Sequence, residues 1–151
     1  MKKEKWQKYK KTDTKLFPQL LLIFIIILST SCEKNGFNKK QFTEIVEKNN
    51  FIVTDIEEKE YVETLAVSSH YQISLYTYDK NKDANNAYKD KIKYYKDKKV
   101  NIKHKNNYLF IENKYVYTII YKTNNYIIET EVPKTYKQEV IKLMKKLNLT
   151  L

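Results

Sequence analysis

Two histidines, a single cysteine, a serine pair and two groups of carboxylates are the side chains of this 151-residue sequence that could do chemistry. His70 follows Ser68 and Ser69, residue types used in nucleophilic catalysis. Neighbours on an extended strand point to opposite faces, however, and a triad is assembled in space rather than along the chain. His104 stands between Lys103 and Lys105. Neither histidine belongs to an H-x-x-H or H-E-x-x-H spacing, so a zinc site has no ligand pattern to start from. Glu57, Glu58, Glu60 and Glu63 could serve glycoside hydrolysis or bind calcium, but they lack the alternating Asp/Asn and the Gly of a calcium loop. This cluster reads as a solvated strand and turn. Glu129 and Glu131 fall on one face of a strand and are expected to mark its solvent side. The single Cys excludes an internal disulfide and a multi-cysteine metal site, and the single Gly excludes Gly-rich phosphate loops. The sequence therefore predicts no catalytic residue, no metal and no cofactor.

The net charge is +11, and every cation is Lys. Residues 1–15 hold seven Lys against Glu4 and Asp13, which leaves +6 to the chain from Cys32 onward. Lys and Tyr interleave at 88–99 and again at 114–126, a mixture that can bind single-stranded nucleic acid or sugars. Without Arg there is no bidentate fork for phosphate, and nucleic acid is not expected as a partner. A basic surface of this kind suits anionic polymers or lipid headgroups better.

The amino-terminal residues explain why. A basic stretch, MKKEKWQKYKKTDTK, runs into the 13-residue apolar segment LFPQLLLIFIIIL at 16–28 and then Ser29-Thr30-Ser31-Cys32. A basic region, a short apolar core and small residues in that order describe a secretory signal, and the apolar run is too short for a spanning helix of roughly 20 residues. Small residues ending in Cys resemble the lipobox of bacterial lipoproteins, with Ser29 where that family most often carries a branched apolar residue. The resemblance implies cleavage between Ser31 and Cys32, a diacylglyceryl group on the Cys32 sulfur with a further acyl chain such as palmitate, and a chain held on the extracytoplasmic face of the cell membrane. Each buried acyl methylene contributes about 0.8 kcal/mol, so two or three chains anchor firmly where one does not. The expected organisation is a signal helix and signal peptide over 1–31, a lipidated Cys and short tether over 32–37, and one domain over 38–151.

Within that domain, Phe42, Ile45 and Val46 recur at helical spacing behind Asn38 as N-cap, with Gln41 three residues on. Strands are predicted at 51–56, 60–68 and 71–78, where β-branched and aromatic residues concentrate. A second helix follows at 81–97, with Ala84, Ala87, Tyr88, Ile92 and Tyr95 on one face. Four more strands are predicted at 99–104, 107–112, 114–122 and 125–132, joined in part by Asn106-Asn107 and Asn124-Asn125 turns. A closing helix is expected to begin at Thr135, with Gln138 at capping-box spacing and Tyr136, Val140, Leu143, Met144 and Leu147 on its apolar side. The predicted fold is α+β: an antiparallel sheet of about six or seven strands with three helices, in the order α-βββ-α-ββββ-α. One layer of helices on one sheet face is the simplest way to bury these stripes.

The stretches QFTEIVEKNNF (41–51), YQISLYTYD (71–79) and YKQEVIKLMKKLNL (136–149) resemble small exported modules common in low-GC bacteria. That resemblance implies a fold and no catalytic residue. The expectation is a non-enzymatic, lipid-anchored envelope module that binds an envelope protein or anionic envelope polymer. The alternatives are an envelope hydrolase using His70 with a carboxylate, or an immunity-type or inhibitor-type lipoprotein.

Overall fold

The Asn38 side chain accepts a hydrogen bond from the Gln41 amide at 2.9 Å, which satisfies one of the free N–H groups that begin any helix. Helix α1 then runs over Lys39–Glu47 and buries Phe42 and Val46. It stops where Asn50 turns to φ 64°, a left-handed conformation that Asn tolerates better than most residues. The Asn49 side chain also donates to the Ile45 carbonyl at 2.7 Å. This is a computed structural model, and it describes residues 36–149 apart from Lys99 and Asn106. Ser31 and Cys32 lie outside the described residues, as does the whole segment read as a signal.

The chain continues as β1 (Ile52–Glu57), β2 (Tyr61–Val67), β3 (Gln72–Tyr78), α2 (Asn81–Asp97), β4 (Ile102–Lys105), β5 (Tyr108–Glu112), β6 (Val116–Thr123) and β7 (Tyr126–Pro133). A 3-10 turn over Lys134–Tyr136 leads into α3 (Lys137–Lys146). The order is α-βββ-α-ββββ-α, as the sequence predicts. All seven strands form one antiparallel sheet in the order β1-β2-β3-β7-β6-β5-β4. The β6–β7 turn uses Asn124 at φ 47°.

The helices occupy both faces of the sheet, not one. Helices α1 and α3 share a core with Ile73, Leu75, Ile119 and Ile128, while α2 packs Ala84 and Tyr88 against Leu109, Ile111, Ile120 and Ile127. The physical reason lies in the doublets Ile119-Ile120 and Ile127-Ile128. Consecutive apolar residues on a strand point to opposite faces, so both faces of β6 and β7 need a covering layer.

The same geometry corrects the reading of Glu129. It lies on the α2 face, where Lys91 pairs with it at 2.5 Å and its side chain is only 20% exposed. Glu131, nearer the strand end, is exposed as expected. The closing helix also begins differently. Tyr136 occupies its N-cap position without a side-chain hydrogen bond, so the Thr135–Gln138 capping box does not form. The 3-10 turn after Pro133 takes up Thr135, and Gln138 falls inside the first turn of the helix. Val140, Leu143 and Met144 are buried, and Lys142, Lys145 and Lys146 stay exposed, as their spacing predicts.

A lysine-ringed pocket

Strand alternation puts Phe110 and Glu112 of β5 and Tyr117 of β6 on the face covered by α3. The β5–β6 turn is shaped by Asn113, whose side-chain oxygen accepts from the amides of Tyr115 and Val116 at 2.8 Å each. That turn leaves Lys114 at the rim. From the other side, the backbone N–H of Lys134 donates to the Tyr115 carbonyl at 2.7 Å, fixing the entry to α3 beside the hairpin. Between the start of β4, the end of β5 and α3 lies an open pocket of about 960 Å³.

Phe110, Tyr117 and Ile141 give this pocket apolar walls, and five lysines surround them: Lys103, Lys114, Lys134, Lys137 and Lys145. Glu112 is the only acidic residue in the lining. One of its oxygens pairs with Lys134 at 2.8 Å and the other with Lys137 at 2.6 Å. Hydrogen bonds from these two ammonium groups pull the Glu112 carboxyl down to about 2, so it is ionised at any physiological pH and has no proton to donate. Lys137 also lies 4.6 Å from the centre of the Tyr117 ring, a cation–π contact that keeps its charge over the pocket wall. Lys103, Lys114 and Lys145 form no ion pair among the described residues. The arrangement can hold an anion against an aromatic surface, with Asn101 and Asn113 as neutral hydrogen-bonding groups at the edge.

The sequence-predicted candidates sit elsewhere. His70 is exposed on the β2–β3 turn, with its ring stacked on Tyr136 at 4.9 Å and the Tyr136 hydroxyl 3.3 Å from its Nδ1. It shares a shallow depression with Ser68, Ser69 and Glu131, but no hydrogen bond joins His70 to a carboxylate among the described residues. The Ser68 hydroxyl is committed to the turn, donating to the Tyr71 carbonyl at 2.9 Å and accepting from the amides of His70 and Tyr71. His104 is on the edge strand β4, near Tyr88 at 6.2 Å between ring centres, and three strands separate β4 from the β2–β3 hairpin whose turn carries His70. Glu57, Glu58 and Glu60 are exposed at the β1–β2 turn, and Glu63 is half-buried on β2. Among the described residues no group of three or more His, Cys, Asp or Glu is placed to hold a metal ion.

Of the Lys-Tyr stretch at 114–126, Lys114 and Tyr117 reach the pocket. Of the exposed lysines on α3, Lys145 lines it; Lys142 does not, and Lys146 bonds instead to Asn49 at 2.6 Å. Glu112, Lys103, Lys134 and Lys137 carry no sequence signal that sets them apart from other charged residues. Also among the described residues, no helix is long and apolar enough to cross a membrane. Comparison with family models, with curated proteins and with solved structures finds no match for this chain.

Proposed function

We propose that this chain is an exported, lipid-anchored envelope protein whose pocket beside α3 binds an anionic envelope polymer, without chemistry on it. The observation that carries the reading is the lining itself: five lysines and one carboxylate around an aromatic and aliphatic wall. A chain of phosphate or carboxylate groups on sugar or polyol units matches that lining. Its anions meet Lys103, Lys114 and Lys145, which form no ion pair among the described residues, and its carbon skeleton lies against Tyr117 and Phe110. The anchor reading rests on the Ser29–Cys32 motif, which would keep the pocket within the envelope at high local concentration of such polymers.

The test uses the full-length protein and immobilised poly(glycerol phosphate), with neutral dextran as the control surface. Exposed ammonium contacts contribute about 0.2–1 kcal/mol each, so Lys103→Gln/Lys114→Gln/Lys145→Gln should weaken binding about tenfold. Lys142→Gln/Lys146→Gln removes charge outside the pocket and should change binding little. Binding should also fade as salt approaches a few tenths molar, where the Debye length falls below about 8 Å. Equal losses from the two sets of substitutions, or binding indifferent to salt, would reject the pocket as the site.

A further inference from the structure

The two edges of the sheet are built differently. Edge strand β4 has four residues, and Lys103 and Lys105 on it discourage pairing with another strand. Edge strand β1 has six residues, IVTDIE, with no Lys, Pro or bulge. Beside it the sheet face that α2 leaves uncovered carries apolar side chains in the open: Ile52 is 77% exposed, Val67 41% and Ile56 37%. Ile52 lies directly across from Val67 in the β1–β2 ladder.

The hydrogen bonding of β1 fixes which of its groups are available. Glu58 donates to the Tyr61 carbonyl, and bonded pairs alternate along an antiparallel ladder. Ile52, Thr54 and Ile56 therefore bond inward to β2, and Val53, Asp55 and Glu57 direct their backbone N–H and C=O groups outward. We infer that a second copy of this chain pairs with this edge, β1 against β1 and antiparallel, about a two-fold axis at Thr54. In that register Val53 bonds with Asp55 of the second copy, and Ile52 faces Ile56 of the second copy on the uncovered face. Both isoleucine pairs fall at non-bonded positions, where side chains approach most closely.

Charge fits the same register. Asp55 faces Val53 and Glu57 faces Phe51 of the second copy, so no like charges stand directly opposite along the strand, and Asp55 is also paired with Lys39 of its own chain at 2.6 Å. A shift of two residues in either direction loses both isoleucine pairings. The surface is thus complementary to itself in one register, which a site for an unrelated strand has no need to be. This inference goes beyond the binding reading and does not depend on it, because the pocket lies toward the opposite edge of the sheet.

The symmetry gives a direct test. Thr54 is exposed and faces its own counterpart across a non-bonded position, where Cα atoms stand about 4.5 Å apart, within disulfide reach. In membranes of cells making the full-length chain, mild oxidation of Thr54→Cys should give a reducible dimer severalfold above wild type and above Lys105→Cys on the other edge. Adding Ile52→Lys and Ile56→Lys should return it to monomer while the domain keeps its far-ultraviolet circular dichroism spectrum, since both side chains are exposed. Sedimentation of the detergent-solubilised wild-type chain should show a dimer that the two Lys substitutions abolish. A Thr54→Cys chain that cross-links no better than Lys105→Cys, or a dimer that survives the two Lys substitutions, would overturn the proposal.

Discussion

Replacing Leu143 with alanine removes a side chain that is 4% exposed and belongs to the core holding Phe42, Ile119 and Ile128. The truncation takes away three buried carbons at about 0.8 kcal/mol each, and the residual cavity brings the cost to about 3 kcal/mol. For the unit spanning Phe37–Leu151, roughly 115 residues, the entropy of unfolding near the midpoint is about 0.24 kcal/mol/K. The melting temperature should therefore fall by about 12 °C. Lys142→Ala, one residue away on the exposed side, should move it by about 2 °C or less. Thermal unfolding followed by near-ultraviolet circular dichroism measures both, because the fourteen tyrosines report on tertiary packing. The comparison also bears on the pocket, since α3 supplies Ile141 and Lys145 to its wall. Equal shifts for the two variants, or a shift below about 4 °C for Leu143→Ala, would refute the assignment of the buried face of α3.

Two further outcomes are expected. Glu112 has its folded carboxyl at about 2, below the ordinary 4.5, so its pairing with Lys134 and Lys137 stabilises the domain fully above about pH 4.5 and is lost as pH falls toward 2. Wild type should then melt above Glu112→Gln at pH 6, and the gap should close across that window; a gap constant from pH 6 to 2 would show that the two lysines do not act through this carboxylate. Metabolic labelling with a clickable fatty acid should mark the wild-type chain and leave Cys32→Ala unmarked, and a label retained by the variant would remove Cys32 as the anchor.

Much of the fold was legible because its elements announce themselves locally. The Phe42–Val46 spacing, the Asn38 cap and the Asn124 turn each need only a few neighbouring residues to be read, and each is present as expected. The layering was harder. The doublets Ile119-Ile120 and Ile127-Ile128 already state that β6 and β7 are buried on both faces, but the strongest helical stripes draw attention to one side. Glu129 was misplaced for the same reason, since a carboxylate on a strand suggests solvent until the helix carrying Lys91 is seen above it. The pocket was scarcely legible. Its lining runs from Asn101 to Lys145, and the function of Glu112 depends on Lys137, 25 positions later. In a chain with so many lysines, residue type gives no hint of which ones converge. Lys114 and Tyr117 fell within the Lys-Tyr stretch at 114–126, and Lys137, Ile141 and Lys145 within 136–149, but neither stretch singles these residues out.

The position of β7 has a consequence for how the domain comes into being. The last strand of the chain lies in the middle of the sheet, and it is the seam between β1–β3 and β4–β6. The ladder across that seam pairs Ser74–Thr77 with Glu129–Tyr126. It is reinforced by the Thr130 hydroxyl donating to the Gln72 carbonyl, 58 residues away, and by the Asn125 side chain donating to the Tyr78 carbonyl. A chain made from its amino end therefore finishes its first three strands long before their central neighbour exists. Until then β3 has an open edge and Ile73 and Leu75 lack the layer that α3 completes. Contacts of such sequence separation close late and slowly, so the amino-terminal half must wait unfolded or be shielded by something else. Nascent chains that stop short of β7 should be substrates for chaperones and proteases rather than smaller versions of the domain.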